Sequence, residues 1–437
     1  MNAFEIRGGN PLHGVITPQG AKNEALQVLC AALLTDEPVT LTNVPDIADV
    51  NALVELLGDM GVAITRPNNN TITLQANNID PDFFGTHAFR KKSGKLRGTV
   101  MLAGPLLARF RKAYIPQPGG DKIGRRRLDT HIRGFEKMGV AFHYDADSQM
   151  FSLNGENLKG AFIQMEEPSV TGTANLVMAA SLAEGVTTIY NAACEPYVQQ
   201  LCRMLNLMGA RINGIGSNML IIHGVTKLSG CSHRLLADMI EVGSFIGLAA
   251  ITQSDLTIKN ADIDNLGIIP EIFQRLGIEL SINGDDIHIP PQEHYRIQKF
   301  IDGSILTVYD HPWPGFTPDL LSIILVTATQ AKGTVLVHQK MFESRLFFVD
   351  KLIEMGAQIV LCDPHRAVVI GLDKQSPLRG INMVSPDIRA GVALLIAALS
   401  ATGKSTIQNI QQIDRGYERI DERLNALGAD IKRVLVE

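Results

Sequence analysis

Hydrophobic and polar positions along the chain trace one pattern six times. An apolar run of helical length gives way to a polar or Gly turn and then to a short alternating stretch. It reads "AALLTDEPVTLTNV", "LLARFRKAYIPQ", "ASLAEGVTTIYNA", "AAITQSDLTIKNA", "TATQAKGTVLVHQ" and "ALSATGKSTIQNI". Each copy predicts a buried helix, a turn and a strand. A second pattern interleaves with the first: an amphipathic helix such as "VNALVELLGDMG" ends on a Met-Gly or Leu-Gly pair and runs into a β-rich stretch. The pairs begin at Met60, Met138, Met208, Leu276, Met355 and Leu427, so the intervals are 78, 70, 68, 79 and 72 residues. A Gly just past the last apolar turn is a helix stop. Both patterns recurring in phase describe six copies of a helix–strand–loop–helix–strand unit of about 70 residues.

Six units with no open linker between them must pack into compact bodies, and they divide as three plus three. The opening stretch "MNAFEIR" alternates like a strand before the first unit, and the last strand of the chain needs a partner. The expected organisation is therefore an α/β fold of two domains. Residues 22–237 form the first domain, with three repeats. Residues 1–21 and 238–437 form the second, and ligands are expected in the cleft between them. The most apolar segments, Ala390 to Ala401 and Leu320 to Ala331, fall short of the ~20 residues that span a bilayer, so no membrane association is expected.

Charge narrows the function. Lys and Arg number 40 and Asp and Glu 45, a net charge of −5 over 437 residues, so no overall field recruits nucleic acid. Anion binding must then be local. The five cysteines (Cys30, Cys194, Cys202, Cys231 and Cys362) form no CxxC pair, as expected of reduced thiols in a cytoplasmic protein.

Local anion sites are sought in the loops that follow the strand of the first pattern. They begin "VPDIADV", "QPGGDKIGRRRLD", "AACEPYV", "ADIDNLG", "QKMFESRLFF" and "QIDRGYERI". Arginine occurs in three: Arg125 to Arg127, Arg345 and Arg415. Arginines gathered on a dry cleft bind phosphate or carboxylate bidentately. The bland alternative for "QPGGDKIGRRRLDTH" is a salt-bridged surface loop. Arg419 and Arg423 lie on an exposed helix face by this reading and pair with acids at i,i+4. Lys22 and Asn23, in "PQGAKNEALQ", open an apolar helix. A helix N-terminus favours anions, so a lysine there serves a ligand rather than the helix; the alternative is a solvated lysine at a linker.

Four stretches carry a resemblance: "GAKN" from Gly20, "LAGPLLARF" from Leu102, "PGGDKIG" from Pro118 and "DRGYERI" from Asp414. In them the chain resembles the UDP-N-acetylglucosamine enolpyruvyl transferase family, end to end. The resemblance implies a fold of two inside-out α/β-barrel-like domains, each of three repeats. It implies transfer of the enolpyruvyl group of phosphoenolpyruvate to the 3-hydroxyl of UDP-N-acetylglucosamine with release of phosphate, the first committed step of peptidoglycan synthesis. It implies no metal or organic cofactor and no obligate protein partner.

The same resemblance assigns roles. Lys22 grips phosphoenolpyruvate beside Asn23, Arg126 and Arg415 complete the anion cradle, and Arg97 lies near the substrates. Asp319 of "FTPDLL" is the base for the sugar hydroxyl; its bland alternative is the N-cap of the helix that follows. The run Arg126, Arg127, Leu128, Asp129 and Thr130, with Ser169, Val170 and Met341, contacts the nucleotide sugar. Arg345, Asp387 and Arg389 are further cleft residues. Residues 117–131 form a lid loop. Most family members have Cys where Asp121 stands, and Asp121 becomes the proton donor and the ground for expecting fosfomycin resistance.

Two other readings stand beside this one. The sister enolpyruvyl transferase acting on shikimate 3-phosphate shares fold and mechanism, but "PGGDKIG" and "DRGYERI" favour the UDP-sugar. Six similar units also build ring-shaped DNA clamps, which need a basic inner face that an acidic chain spending its arginines in loops does not offer.

Overall fold

A computed structural model of the chain describes residues 2–116, 119 and 127–435. They divide into two compact units, one running from Gly20 to Leu236, the other holding the residues up to Gln19 and those from Ala237 onward.

Each unit is organised by three apolar helices. In the first they are α1 (Lys22–Ala31), α2 (Ala103–Phe110) and α3 (Val170–Ser181). In the second they are α4 (Met239–Ile251), α5 (Leu321–Ala328) and α6 (Ile388–Ser400). Every residue of α4 and α5 is buried. A helix that is apolar all round has no face to give to water and belongs inside. Accordingly α4, α5 and α6 pack on one another, while in the first unit α2 packs on α3 and the 3-10 turn Arg97–Leu102 packs on both α1 and α3.

The strands lie outside this core. Five sheets have four strands and share one topology, a parallel pair extended by two antiparallel strands; the sixth, in the second repeat, has three antiparallel strands among the described residues. Among the described residues these are six separate open sheets, so "barrel-like" describes helices wrapped by sheets and no closed barrel. Strand residues alternate in burial, as in Val39–Thr42, where Val39 and Leu41 face the helices. In the sixth repeat the strand Asn2–Arg7 lies between Lys404–Gln408 and Asp430–Leu435, antiparallel to both, with Phe4 opposite Ile407 and Arg433. No helix among the described residues is long and apolar enough to cross a membrane.

The repeat is written in the backbone. Gly61, Gly139, Gly209, Gly277, Gly356 and Gly428, the second members of the six Met-Gly or Leu-Gly pairs, all have positive φ, between 86° and 106°. They stop the amphipathic helices in a conformation that side chains resist. Asn43, Asn191, Asn260 and Asn409 close four of the strands in the left-handed region, which Asn tolerates best after Gly.

Conformation and space separate at two of these glycines. A Cβ on Gly61 would lie 2.1 Å from the Asn78 carbonyl oxygen, whereas one on Gly209, at nearly the same φ, would meet nothing within 4 Å. Gly209→Ala is expected to cost about 1–2 kcal/mol in urea unfolding, the backbone penalty alone. Gly61→Ala should cost clearly more; equal losses would show that the Asn78 contact does not matter.

Candidate functional site

In the unit that begins again at Ala237, two arginine side chains converge on one carboxylate. Asp319 lies in the 3-10 turn Pro318–Leu320 that leads into α5. Its backbone N–H donates to Thr317 Oγ1, so Thr317 caps the turn and α5 carries no side-chain cap. The N-cap reading of Asp319 is therefore wrong: a threonine two residues earlier takes that task. The Asp319 carboxylate instead accepts from Arg345 Nη2 at 2.7 Å and Arg389 Nη2 at 3.1 Å, one arginine per oxygen. Arg389 is buried at the start of α6, where Asp387 caps the helix by accepting from the Arg389 and Ala390 N–H groups. Burial opposes charge on Arg389, and Asp319, Tyr417 and Asp238 together outweigh it, holding its pKa above the usual arginine value. Tyr417 Oη lies 3.4 Å from Arg389 Nη1 and 3.0 Å from Ser244 Oγ, and burial pushes its phenol up to about 12. A carboxylate oxygen offers two acceptor lone pairs, so one engaged by an arginine can also receive a hydroxyl hydrogen.

Met341 and Arg345 share one loop, anchored by a residue the sequence did not single out. Asp310 is fully buried and accepts from the side-chain amide of Gln339 and the N–H groups of Lys340 and Met341. Burial raises its pKa more than these donors lower it. Met341 itself is exposed, and the Arg345 guanidinium sits 4.8 Å from the Phe342 ring centre. Arg415, half-buried, follows the short helix Gln411–Asp414 and donates to Gln412 Oε1 at 2.7 Å.

The i,i+4 reading of Arg419 and Arg423 is also corrected. Arg419 pairs with Glu418 and, at 3.9 Å, with Glu422 three residues on. Arg423 reaches inward to the buried Glu241 of α4, with contacts of 2.6 and 3.0 Å. Burial raises the Glu241 pKa and Arg423 opposes it. The partner that satisfies Arg423 comes from another element, which helical spacing cannot reveal.

In the unit from Gly20 to Leu236, Lys22 opens α1 after Ala21, which offers no side-chain cap. Lys22 is buried and its Nζ lies 2.6 Å from Asp49 Oδ2, so it is neither solvated nor alone with the helix dipole. Asn23 beside it is half-buried. Arg97 is half-buried at the start of the turn Arg97–Leu102. Arg127 and Asp129 are exposed and Leu128 and Thr130 half-buried, with Thr130 Oγ1 donating to Glu167. Ser169 caps α3 by accepting from the Gly172 N–H, and Val170 is its first residue. Asp121 and Arg126 lie outside the described residues.

Sequence reasoning missed Asp49, Asp310 and the buried His131. Asp49 was within reach, since "VPDIADV" is the first of the six equivalent loops. His131 closes the arginine-rich stretch but carries no local signal of its partners. Asp310 has none either.

The family model for EPSP synthase (3-phosphoshikimate 1-carboxyvinyltransferase) matches residues 6–424. The chain is 61% identical over 434 residues to a protein of Porphyromonas gingivalis named UDP-N-acetylglucosamine 1-carboxyvinyltransferase, covering 99% of this chain and all of that one. A protein of the same name from Bacteroides thetaiotaomicron is 62% identical with the same coverage. Among solved structures, the enolpyruvyl transferase NikO from Streptomyces tendae superposes with a TM-score of 0.87 over 100% of this chain and 99% of its own, at 22% identity, a likeness of fold. The chain belongs to the EPSP synthase (3-phosphoshikimate 1-carboxyvinyltransferase) family, among relatives named UDP-N-acetylglucosamine 1-carboxyvinyltransferase.

Proposed function

We propose that this protein transfers the enolpyruvyl group of phosphoenolpyruvate to the 3-hydroxyl of UDP-N-acetylglucosamine, releasing phosphate, and so serves peptidoglycan synthesis in the cytoplasm. The observation that carries the reading is full-length identity of 61% and 62% to relatives bearing that activity's name. The family description by itself suits the shikimate 3-phosphate reaction as well.

The chemistry is an addition followed by an elimination. The sugar oxygen bonds to C2 of phosphoenolpyruvate as the hydroxyl loses its proton and C3 gains one. C3 then loses a proton as the C2–O bond to phosphate breaks. The first step needs a base for the hydroxyl and an acid for C3. Asp319 is assigned as the base. Its two arginines, Arg345 and Arg389, hold the carboxylate in one orientation. Asp121 is assigned as the acid. Lys22, Arg126 and Arg415 are assigned to the phosphate and carboxylate of phosphoenolpyruvate, with Asn23 positioning the reacting groups, since charge must be matched where it develops. Asp49 sets where the Lys22 ammonium stands. Arg97, Arg127 to Thr130, Ser169, Val170 and Met341 are assigned to the nucleotide sugar, and Asp387 supports Arg389 through the α6 cap.

Phosphate release from phosphoenolpyruvate should require UDP-N-acetylglucosamine, and shikimate 3-phosphate should not replace it; turnover with the shikimate ester alone would reverse the assignment. Asp319→Asn should lower kcat by about 10²–10⁴-fold with the thermal midpoint little changed, the range of a lost general base. A carboxylate at position 121 is a poor soft nucleophile beside a thiolate, so fosfomycin should not inactivate the enzyme over time, and mass added at residue 121 by the drug would contradict this. Asp121→Ala should abolish turnover and leave calorimetric binding of the UDP-sugar within about threefold of wild type, whereas turnover close to wild type would remove Asp121 from the reaction.

A further inference from the structure

Gln19 has no role in these assignments, although it is buried and engaged at every polar group. It is the last residue of its unit before the chain passes to the other. Its backbone N–H donates to Glu241 Oε2 at 2.6 Å, and its carbonyl accepts from the Asp238 N–H at 2.8 Å. Glu241 is held in turn by Arg423, whose Nη2 also donates to the Thr17 carbonyl at 2.7 Å. Residues 17–19 are thus fixed to the first turn of α4, and the Gln19 side chain leaves from a rigid base.

That side chain spans two backbone groups of one loop nearly 400 positions away. Nε2 donates to the Gly416 carbonyl at 2.8 Å, and Oε1 accepts from the Glu418 N–H at 2.6 Å. One end must donate and the other accept, so an amide fits in one orientation only. An alkyl chain of the same length would leave both buried backbone groups without these partners, and a carboxylate would oppose the Gly416 carbonyl.

The clamped loop carries residues of the proposed chemistry. Arg415, assigned to phosphoenolpyruvate, directly precedes Gly416. Tyr417 lies between the two clamped groups and is buried, its hydroxyl 3.4 Å from Nη1 of Arg389, which donates through Nη2 to Asp319. The helix before Arg415, Gln411–Asp414, has four residues and needs outside contacts to fix its end. Gly416 is pressed against α6, where a Cβ would lie 2.5 Å from Ile388 Cγ2. On the other side stands the Gln19 amide.

We propose that Gln19 is a positioning residue for Arg415. On the function proposed above, its amide fixes where the Arg415 guanidinium meets the anionic groups of phosphoenolpyruvate.

Gln19→Met removes both side-chain hydrogen bonds at similar volume. It should lower kcat/KM for phosphoenolpyruvate at saturating UDP-sugar about tenfold or more, because a small displacement of an anchoring charge is enough. Calorimetric binding of UDP-N-acetylglucosamine should stay within about twofold, which a general loosening of the unit would not spare. Arg415→Lys should itself lower kcat/KM for phosphoenolpyruvate, since an ammonium does not replace the planar fork. In that background Gln19→Met should cost less than about twofold more, because it acts through the guanidinium. An unchanged kcat/KM in Gln19→Met overturns the proposal, as does an equal loss for both substrates. The full cost recurring in Arg415→Lys overturns it too. Should Gln19→Met fail to fold, Gln19→Asn, whose amide is one methylene too short to span both groups, is held to the same criteria. Should the wild type release no phosphate in the presence of the UDP-sugar, the proposed function falls and this role with it. Wild-type turnover with an indifferent Gln19→Met removes the positioning role alone.

Discussion

The six inner helices have almost no polar face, and this constraint orders everything else in the chain. A helix such as α4, buried along all of its 13 residues, cannot lie on a surface; three of them must cover one another and the sheets must cover the rest. The first N–H groups of these helices have no partner within the helix and need designated acceptors. Ser169, Asp238 and Asp387 supply them for α3, α4 and α6. At α1, α2 and α5 no side chain caps the helix; Lys22 stands at the start of α1 and Asp319 just before α5.

Burial explains why the charges come in sets. Lys22 has Asp49, Asp319 has two arginines and Glu241 has Arg423. A charge withdrawn from water must be paired, and once paired it is held in place far better than on the surface. Related positions of the two units solve a related problem alike. Glu24 and Glu241 are each the third residue of their helix; one accepts from the Leu236 N–H and the other from the Gln19 N–H. In each unit, then, a glutamate at the third helix position holds a backbone N–H of a sequence-distant segment.

The repeat was legible because it depends on local signals: a fixed interval, a Gly that stops a helix and a strand that alternates. The charged residues of the candidate site stand out in the sequence by type, and their partnerships do not. Asp319 and Arg389 are 70 positions apart, and nothing in either neighbourhood announces the other. Arg423 was misread because its helix offers acids at familiar spacing, while its partner lies 182 positions away on α4. The bland alternative for Asp319, a helix cap, fails because Thr317 takes that task two residues earlier. His131 needed three dimensions altogether, since its ring nitrogens meet Asn175 and Thr171, 44 and 40 positions away on another helix.

The strand Asn2–Arg7 has a consequence for how the molecule is made. Both of its neighbours come from the far end of the chain, and Glu5 is bridged by Lys404 across 399 positions. During synthesis at roughly 5–20 residues per second, that strand leaves the ribosome tens of seconds before either neighbour exists. Throughout that interval Phe4 and Ile6, fully buried in the finished molecule, have no sheet to enter. The intervening unit can meanwhile complete its own core. The nascent chain thus carries an exposed apolar strand edge for most of its translation, the kind of segment that chaperones bind and that crowding turns toward aggregation.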